Sequence, residues 1–263
     1  MKKCLIILFL FSSLVYSKYR DKLIAPTGII NEPLEIIDTD NSVTGFDFDI
    51  LRMALNSSGI KLDYYKGSVP WDRHLLMIKE GQLDVGVASS WVKERASYAY
   101  YSFPYRNEYI ALYVRNEDEN KYHVQSLDDL LGLDISIGVK KGFSYGGKVD
   151  RLIEKLGDRI EWVHDNEQNY NKLVNNRIDA ILSYPLEHDD YVNELGLTGK
   201  LKLVENSVTT SGKVYFILSK STCNIETLDK LNEGLVQIET NGKLDSLINF
   251  YSQKYPKFKE IFK

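Results

Sequence analysis

Cysteine is nearly missing from this chain: 263 residues carry only Cys4 and Cys223. Cys4 falls in a segment that reads as a cleaved leader, so Cys223 alone is expected in the mature chain. One thiol forms no intrachain disulfide and builds no thiolate metal site. The four histidines, His74, His123, His164 and His188, are scattered, and none adjoins a serine or cysteine in a nucleophile elbow. An excess of basic charge is also lacking. Without Lys2 and Lys3 the chain has 31 basic against 37 acidic residues, a net charge of −6, which argues against a nucleic-acid partner. Long apolar runs are confined to residues 5–15, about eleven residues against the roughly 20 that a spanning helix needs. With Lys2 and Lys3 before that run and Val15-Tyr16-Ser17 after it, residues 1–17 are predicted to be a signal peptide cleaved near Ser17. The mature protein is then exported, soluble and periplasmic.

What is present is 43% hydrophobic and 12% aromatic residues, enough for a well-packed globular core. The order of elements is that of α/β units. Lys22 to Ala25 reads as a strand, and a helix opens at Gly45 with Asp47 as its N-cap. Lys61 to Tyr65 is a strand, and Pro70-Trp71-Asp72 starts a helix that ends at Gly81. Tyr109 to Val114 is a longer strand after a Phe103-Pro104-Tyr105 turn. A polar run, residues 115–121, then separates this half from a second one. There Ser126 caps a short helix, and Ile135 to Val139 is a strand. It leads into a glycine-rich loop, residues 140–147, that opens a helix and has the form of a weak anion site. Ile160 to Val163 and Asp179 to Ser183 are strands. Lys213 to Ser219 is another strand, followed by two C-terminal helices.

The stretch from Gly81 to Tyr105 is the most suggestive for function. Leu83 to Ala88 is a short strand that runs out into Ser89 and Ser90, with Arg95 five positions later. Ligands of open α/β sheets bind beyond the carboxyl ends of strands. A hydroxyl and a guanidinium there suit a carboxylate.

Six blocks in order carry a family resemblance: GFDFDILRMAL from Gly45, IKEGQLDVGVASSWVKER up to Arg95, SFPY from Ser102, SLDDLLGLDISIGVKKG from Ser126, NNRIDAILS from Asn175 and NGKLDSLINFY from Asn241. The chain resembles the bacterial extracellular solute-binding proteins of family 3, the polar amino-acid-binding class that serves ABC importers. The resemblance implies an α/β fold of the type II periplasmic-binding-protein kind, with two α/β lobes joined by two hinge strands. Residues 18–113 plus 215–263 would form lobe 1 and residues 114–214 lobe 2, with crossings near 113–116 and 212–215. It also implies a monomer that closes on a small carboxylate-bearing solute and passes it to an ABC transporter membrane permease. No cofactor, metal or catalysis is implied.

By the same resemblance Arg95 matches the arginine that pairs with the ligand's α-carboxylate. Ser90 matches the assisting hydroxyl residue, Ala88 a carbonyl that meets the ligand, and Ser144 a lobe-two hydroxyl at a helix start. Trp71 and Trp91 on one lobe, with Phe143 and Tyr184 on the other, are candidates to clamp the ligand. One departure stands out. Tyr184 occupies the place of the aspartate that usually holds the α-amino group. Glu187 is the nearest substitute, but Glu187, Asp189 and Asp190 are expected to form a solvated helix face. The alternatives are an enzyme on the same fold, of cyclohexadienyl-dehydratase type, and a ligand-sensing partner of a membrane receptor. In the enzyme reading Glu187 is the acid or base, and His74 is placed to reach the cleft.

Overall fold

The computed structural model describes residues 21–27, 32–37, 42–68, 70–255 and 258. The expected leader, residues 1–17, lies outside the described residues. No helix among those described is long and apolar enough to cross a membrane.

The first half contains β1 (Lys22–Thr27), β2 (Ile36–Ile37), β3 (Val43–Thr44), α1 (Phe46–Asn56), β4 (Lys61–Ser68), α2 (Trp71–Glu80) and β5 (Val85–Ser90). A long strand, β6 (Ala99–Arg115), leads out of it. The second half contains β7 (Ile137–Lys140), α3 (Gly147–Leu156), β8 (Ile160–Val163), α4 (Asn166–Val174), β9 (Ala180–Ser183), α5 (Pro185–Glu194) and β10 (Leu201–Leu203). The chain returns along β11 (Thr209–Ser219) and ends in α6 (Ile225–Thr240) and α7 (Lys243–Lys254).

β1 and β4 pair in parallel. The main sheet has the order β5-β11-β6-β9-β7-β8, with β10 on the side of β6. β11 runs antiparallel to both β5 and β6, while β7 lies parallel to β8 and β9. β6 and β11 therefore belong to both halves.

Burial explains the division. Leu23, Phe46, Leu51, Val85, Tyr105, Phe216 and Leu231 share one core, drawn from the start and end of the chain. Further along β6, Ile110, Leu112 and Val114 pack with Val149 and Leu152 of α3. The alternate residues Ala111 and Tyr113 pack with Tyr170 and Leu173 of α4. Side chains alternate across a strand, so one sheet buries both faces between helices. Each buried valine, leucine, isoleucine or phenylalanine contributes about 1.5–3 kcal/mol on leaving water.

Three local expectations change. Phe103-Pro104-Tyr105 is not a turn but part of β6. The strand tolerates Pro104 because the register with β11 slips there, Val214 facing Arg106 while Tyr215 faces Pro104. The cap of α1 is Gly45, not Asp47. At φ 105, with any Cβ only 2.5 Å from Leu34 O, this position requires glycine. The glycine-rich loop before α3 is closed to an anion by Asp150, whose carboxylate accepts from Ser144 Oγ and Tyr145 N, both at 2.7 Å. Gly146 serves close packing instead, since a Cβ there would lie 1.9 Å from Ser211 O.

Candidate functional site

The carboxyl end of β5 reaches a cleft between the two cores. Its lining comes from both sides: Ala88, Ser90, Arg95, Trp71 and His74 on one, Phe143, Ser144, Tyr184 and Glu187 on the other. The empty volume is about 850 Å³, counting the part open to solvent.

β5 delivers its end group through a bulge. Val87 and Ala88 stand opposite the single residue Phe216, between the pairs Gly86–Ile217 and Ser89–Tyr215. Ala88 takes the left-handed conformation, φ 55, and its N–H donates to Tyr105 Oη at 3.2 Å. A non-glycine residue held at positive φ costs about 1–3 kcal/mol and is often found at a binding site.

Arg95 lies in a 3₁₀ turn, Arg95–Ser97, after β5. It is only 7% exposed. Its Nη1 donates to Ser90 O at 3.1 Å and to Ser89 Oγ at 3.3 Å, and its Nη2 reaches Gly142 O on the far side at 3.4 Å. The guanidinium stands 5.6 Å from the Trp71 ring. Ser90 thus contributes its carbonyl, while the hydroxyl next to the guanidinium belongs to Ser89.

Arg106 is also 7% exposed, and sequence reasoning missed it. Its Nε and Nη2 both bond the Asp47 carboxylate at 2.9 Å, and its Nη1 approaches Glu108 Oε1 at 3.3 Å. All three residues line the cleft. The signal available in the sequence was the acidic pair of the GFDFD block and the arginine after SFPY. Nothing in the spacing, however, joins residues 59 positions apart.

Across the cleft, Trp71 meets Phe143 edge-on at 6.4 Å. Tyr184 stacks on Tyr145 at 6.1 Å and donates to Ser144 O at 3.3 Å. Ser144 lines the cleft, but its hydroxyl is engaged by Asp150. Trp91 departs from expectation. It is 56% exposed, rests on Tyr101 at 6.5 Å, and is not part of the lining. The chain leaves the cleft as soon as β5 ends at Ser90, which carries Trp91 outward.

Glu187 also departs. It is not on a solvated helix face but lines the cleft from the first turn of α5. Burial pushes its pKa up to about 7; Lys140 opposes this, and Glu108 adds to it. Asp189 and Asp190 are half-buried too, and burial raises Asp190 to about 6. Glu108 is likewise shifted upward, chiefly by burial. The lining therefore carries the acids Glu35, Asp47, Glu108 and Glu187 against the bases Arg95 and Arg106. No cluster of three or more metal-ligating side chains occurs among the described residues.

Residues 26–254 match the model of the bacterial extracellular solute-binding proteins, family 3. The chain belongs to that family. A probable histidine-binding protein of Neisseria gonorrhoeae is 21% identical to this solute-binding protein over 223 residues, 84% of this chain and 80% of that one. An ancestral arginine-binding protein solved with arginine has a TM-score of 0.71 at 23% identity, covering 88% of this chain and 98% of that one. A histidine kinase sensor domain with similarity to periplasmic binding proteins has a TM-score of 0.72 at 18% identity, over 88% and 96% of the two chains. The fold is the type II periplasmic-binding-protein fold.

Proposed function

We propose that this solute-binding protein captures a small amino acid in the periplasm by closing two lobes on it, and delivers it to an ABC importer. The observation that carries this reading is the state of Arg95. Its guanidinium is buried in the cleft and, among the described residues, bonds only neutral oxygens. A buried charge without a counter-charge is costly, and a ligand α-carboxylate supplies one through paired N–H···O bonds. Ala88 and Ser90 flank that carboxylate, while Trp71, Phe143 and Tyr184 enclose the rest of the solute. Glu187 takes the place of the absent aspartate and receives the ammonium group. The acidic excess of the lining, with the arginine- and histidine-binding relatives, favours a cationic amino acid.

In this reading the lobes divide within β6 and β11 rather than at residues 113 and 215, with Tyr105 and Val214 packed in the first core and Ile110 and Val204 in the second. The packing of Tyr105 in one core and Ile110 in the next supports a hinge on β6 near residues 105–110, with β11 as the second crossing. Closure is favoured by whatever contacts the ligand gains in the closed state. The Arg95 to Gly142 bond links the two sides of the cleft directly.

The test is a thermal-shift screen of L-arginine, L-lysine, L-histidine and L-glutamine on the wild type and on Arg95→Ala. A ligand at a hundred times its Kd stabilises by about 2.7 kcal/mol. In a chain of this size that raises Tm by roughly 5–11 °C. The shift vanishes in Arg95→Ala; an undiminished shift there rejects the assignment. One observation favours a second reading, an enzyme on this fold: Glu187 is a cleft carboxyl poised near neutrality, as a general acid needs. Incubation with prephenate decides it, and absence of turnover removes that reading.

A further inference from the structure

Beside the groups that meet a carboxylate and an ammonium group, the cleft lining includes His74, a polar side chain to which that recognition gives no role. His74 lies in the first turn of α2, its backbone N–H donating to Pro70 O at 2.9 Å. Its ring meets Trp71 edge-on at 5.3 Å, in a lining shared with Phe48 and Val87. The side chain is buried, with the residue 6% exposed, and Nε2 has no hydrogen-bond partner among the described residues. Burial pushes the imidazole pKa down to about 4, so the ring is neutral at physiological pH.

An unpartnered buried nitrogen destabilises the fold that holds it. As a packing residue this position would be better served by leucine or phenylalanine, which fill the space without that cost. The cost is removed if something in the cleft completes the hydrogen bond. A neutral imidazole offers one acceptor nitrogen and one N–H, and the acidic lining favours a ligand rich in N–H donors.

We propose that His74 is a ligand-contacting specificity residue, whose Nε2 accepts a hydrogen bond from a side-chain N–H of the bound amino acid. This rests on the reading of the cleft as an amino-acid site and adds what it selects for. The solute is one with a nitrogen donor on its side chain, of the glutamine, histidine or arginine kind. A site with a polar group in waiting discriminates against an analogue that lacks the partner, because the group then stays unpaired.

The experiment is calorimetric titration of L-glutamine and L-arginine against L-methionine and L-norleucine, which match L-glutamine in length and have no side-chain N–H. Wild type, His74→Phe and Arg95→Ala are compared. The wild type prefers the N–H-bearing ligands by about tenfold or more, the range set by an unpaired buried group. His74→Phe loses most of that preference, while the Tm of the free protein holds or rises. Arg95→Ala weakens every ligand that binds, and by a similar factor. If His74→Phe does not fold, His74→Leu, a smaller apolar side chain, carries the same comparison. Wild-type preference retained in these variants overturns the proposal. If all four ligands bind through Arg95 without discrimination, the amino-acid reading stands and the role of His74 falls. If none of the four binds the wild type, both fall.

Discussion

Arg95 and Arg106 line the same cleft and are equally buried, yet the protein treats their charges in opposite ways. Arg106 is held by the Asp47 carboxylate through two bonds and approached by Glu108, so its charge is answered within the fold. Arg95 has a hydroxyl and two backbone carbonyls, none of them charged. Burial alone does not mark a binding arginine; the partner does. Arg106 belongs to the wall and Arg95 to whatever enters.

The largest expected effect separates the two on stability. Arg106→Met leaves Asp47 buried without its partner, so denaturant unfolding of the free protein falls by about 3–5 kcal/mol. Asp47→Asn combined with Arg106→Met recovers most of that loss. Arg95→Met, with no carboxylate among the described residues to orphan, costs far less in the free protein.

A smaller effect concerns the opposite wall and is read in pH. Burial raises the Glu187 pKa from its ordinary value of 4.5 to about 7. The folded state therefore holds a proton that the unfolded state releases, and stability falls as pH rises from about 4.5 to 7. In the folded protein Glu187 gains its charge around pH 7, so affinity for a cationic amino acid rises from about pH 6 to 8. Glu187→Gln flattens both profiles in urea melts and titrations at pH 5, 6, 7 and 8. Parallel profiles for wild type and variant would remove Glu187 from the ammonium site. The smallest effect is at Trp91. Being exposed and outside the lining, Trp91→Ser changes stability and affinity by no more than about 0.5 kcal/mol.

Much of this was legible in the sequence because local chemistry and fold agree. α2 ends at Gly81, which takes φ 74, and β8 spans Ile160–Val163 as expected. Ser126 forms a capping box with Asp129. Of the eight site residues named from sequence, Trp71, Ala88, Ser90, Arg95, Phe143, Ser144 and Tyr184 converge on the cleft. What failed was long-range or a matter of direction. Asp47 read as a helix cap because nothing local shows that Arg106 comes to meet it. Glu187 read as part of a charge run because neighbouring acids hide which of them faces inward. Trp91 read as a clamp because it adjoins Ser90, and the path of the chain beyond β5 was not visible. Ser90 was named for a hydroxyl, whereas its carbonyl and the neighbouring Ser89 hydroxyl meet the guanidinium.

The central claim is that Arg95 waits for a carboxylate. It is tested most directly by ligands that differ only in that group. L-arginine is titrated against agmatine, and L-histidine against histamine, on the wild type and on Arg95→Gln. The prediction is that removing the carboxylate costs the wild type about a hundredfold or more in Kd, within the range for truncating one partner of a buried charge pair. In Arg95→Gln acid and decarboxylated ligand bind almost alike. Agmatine or histamine binding the wild type as tightly as its parent amino acid would contradict the account.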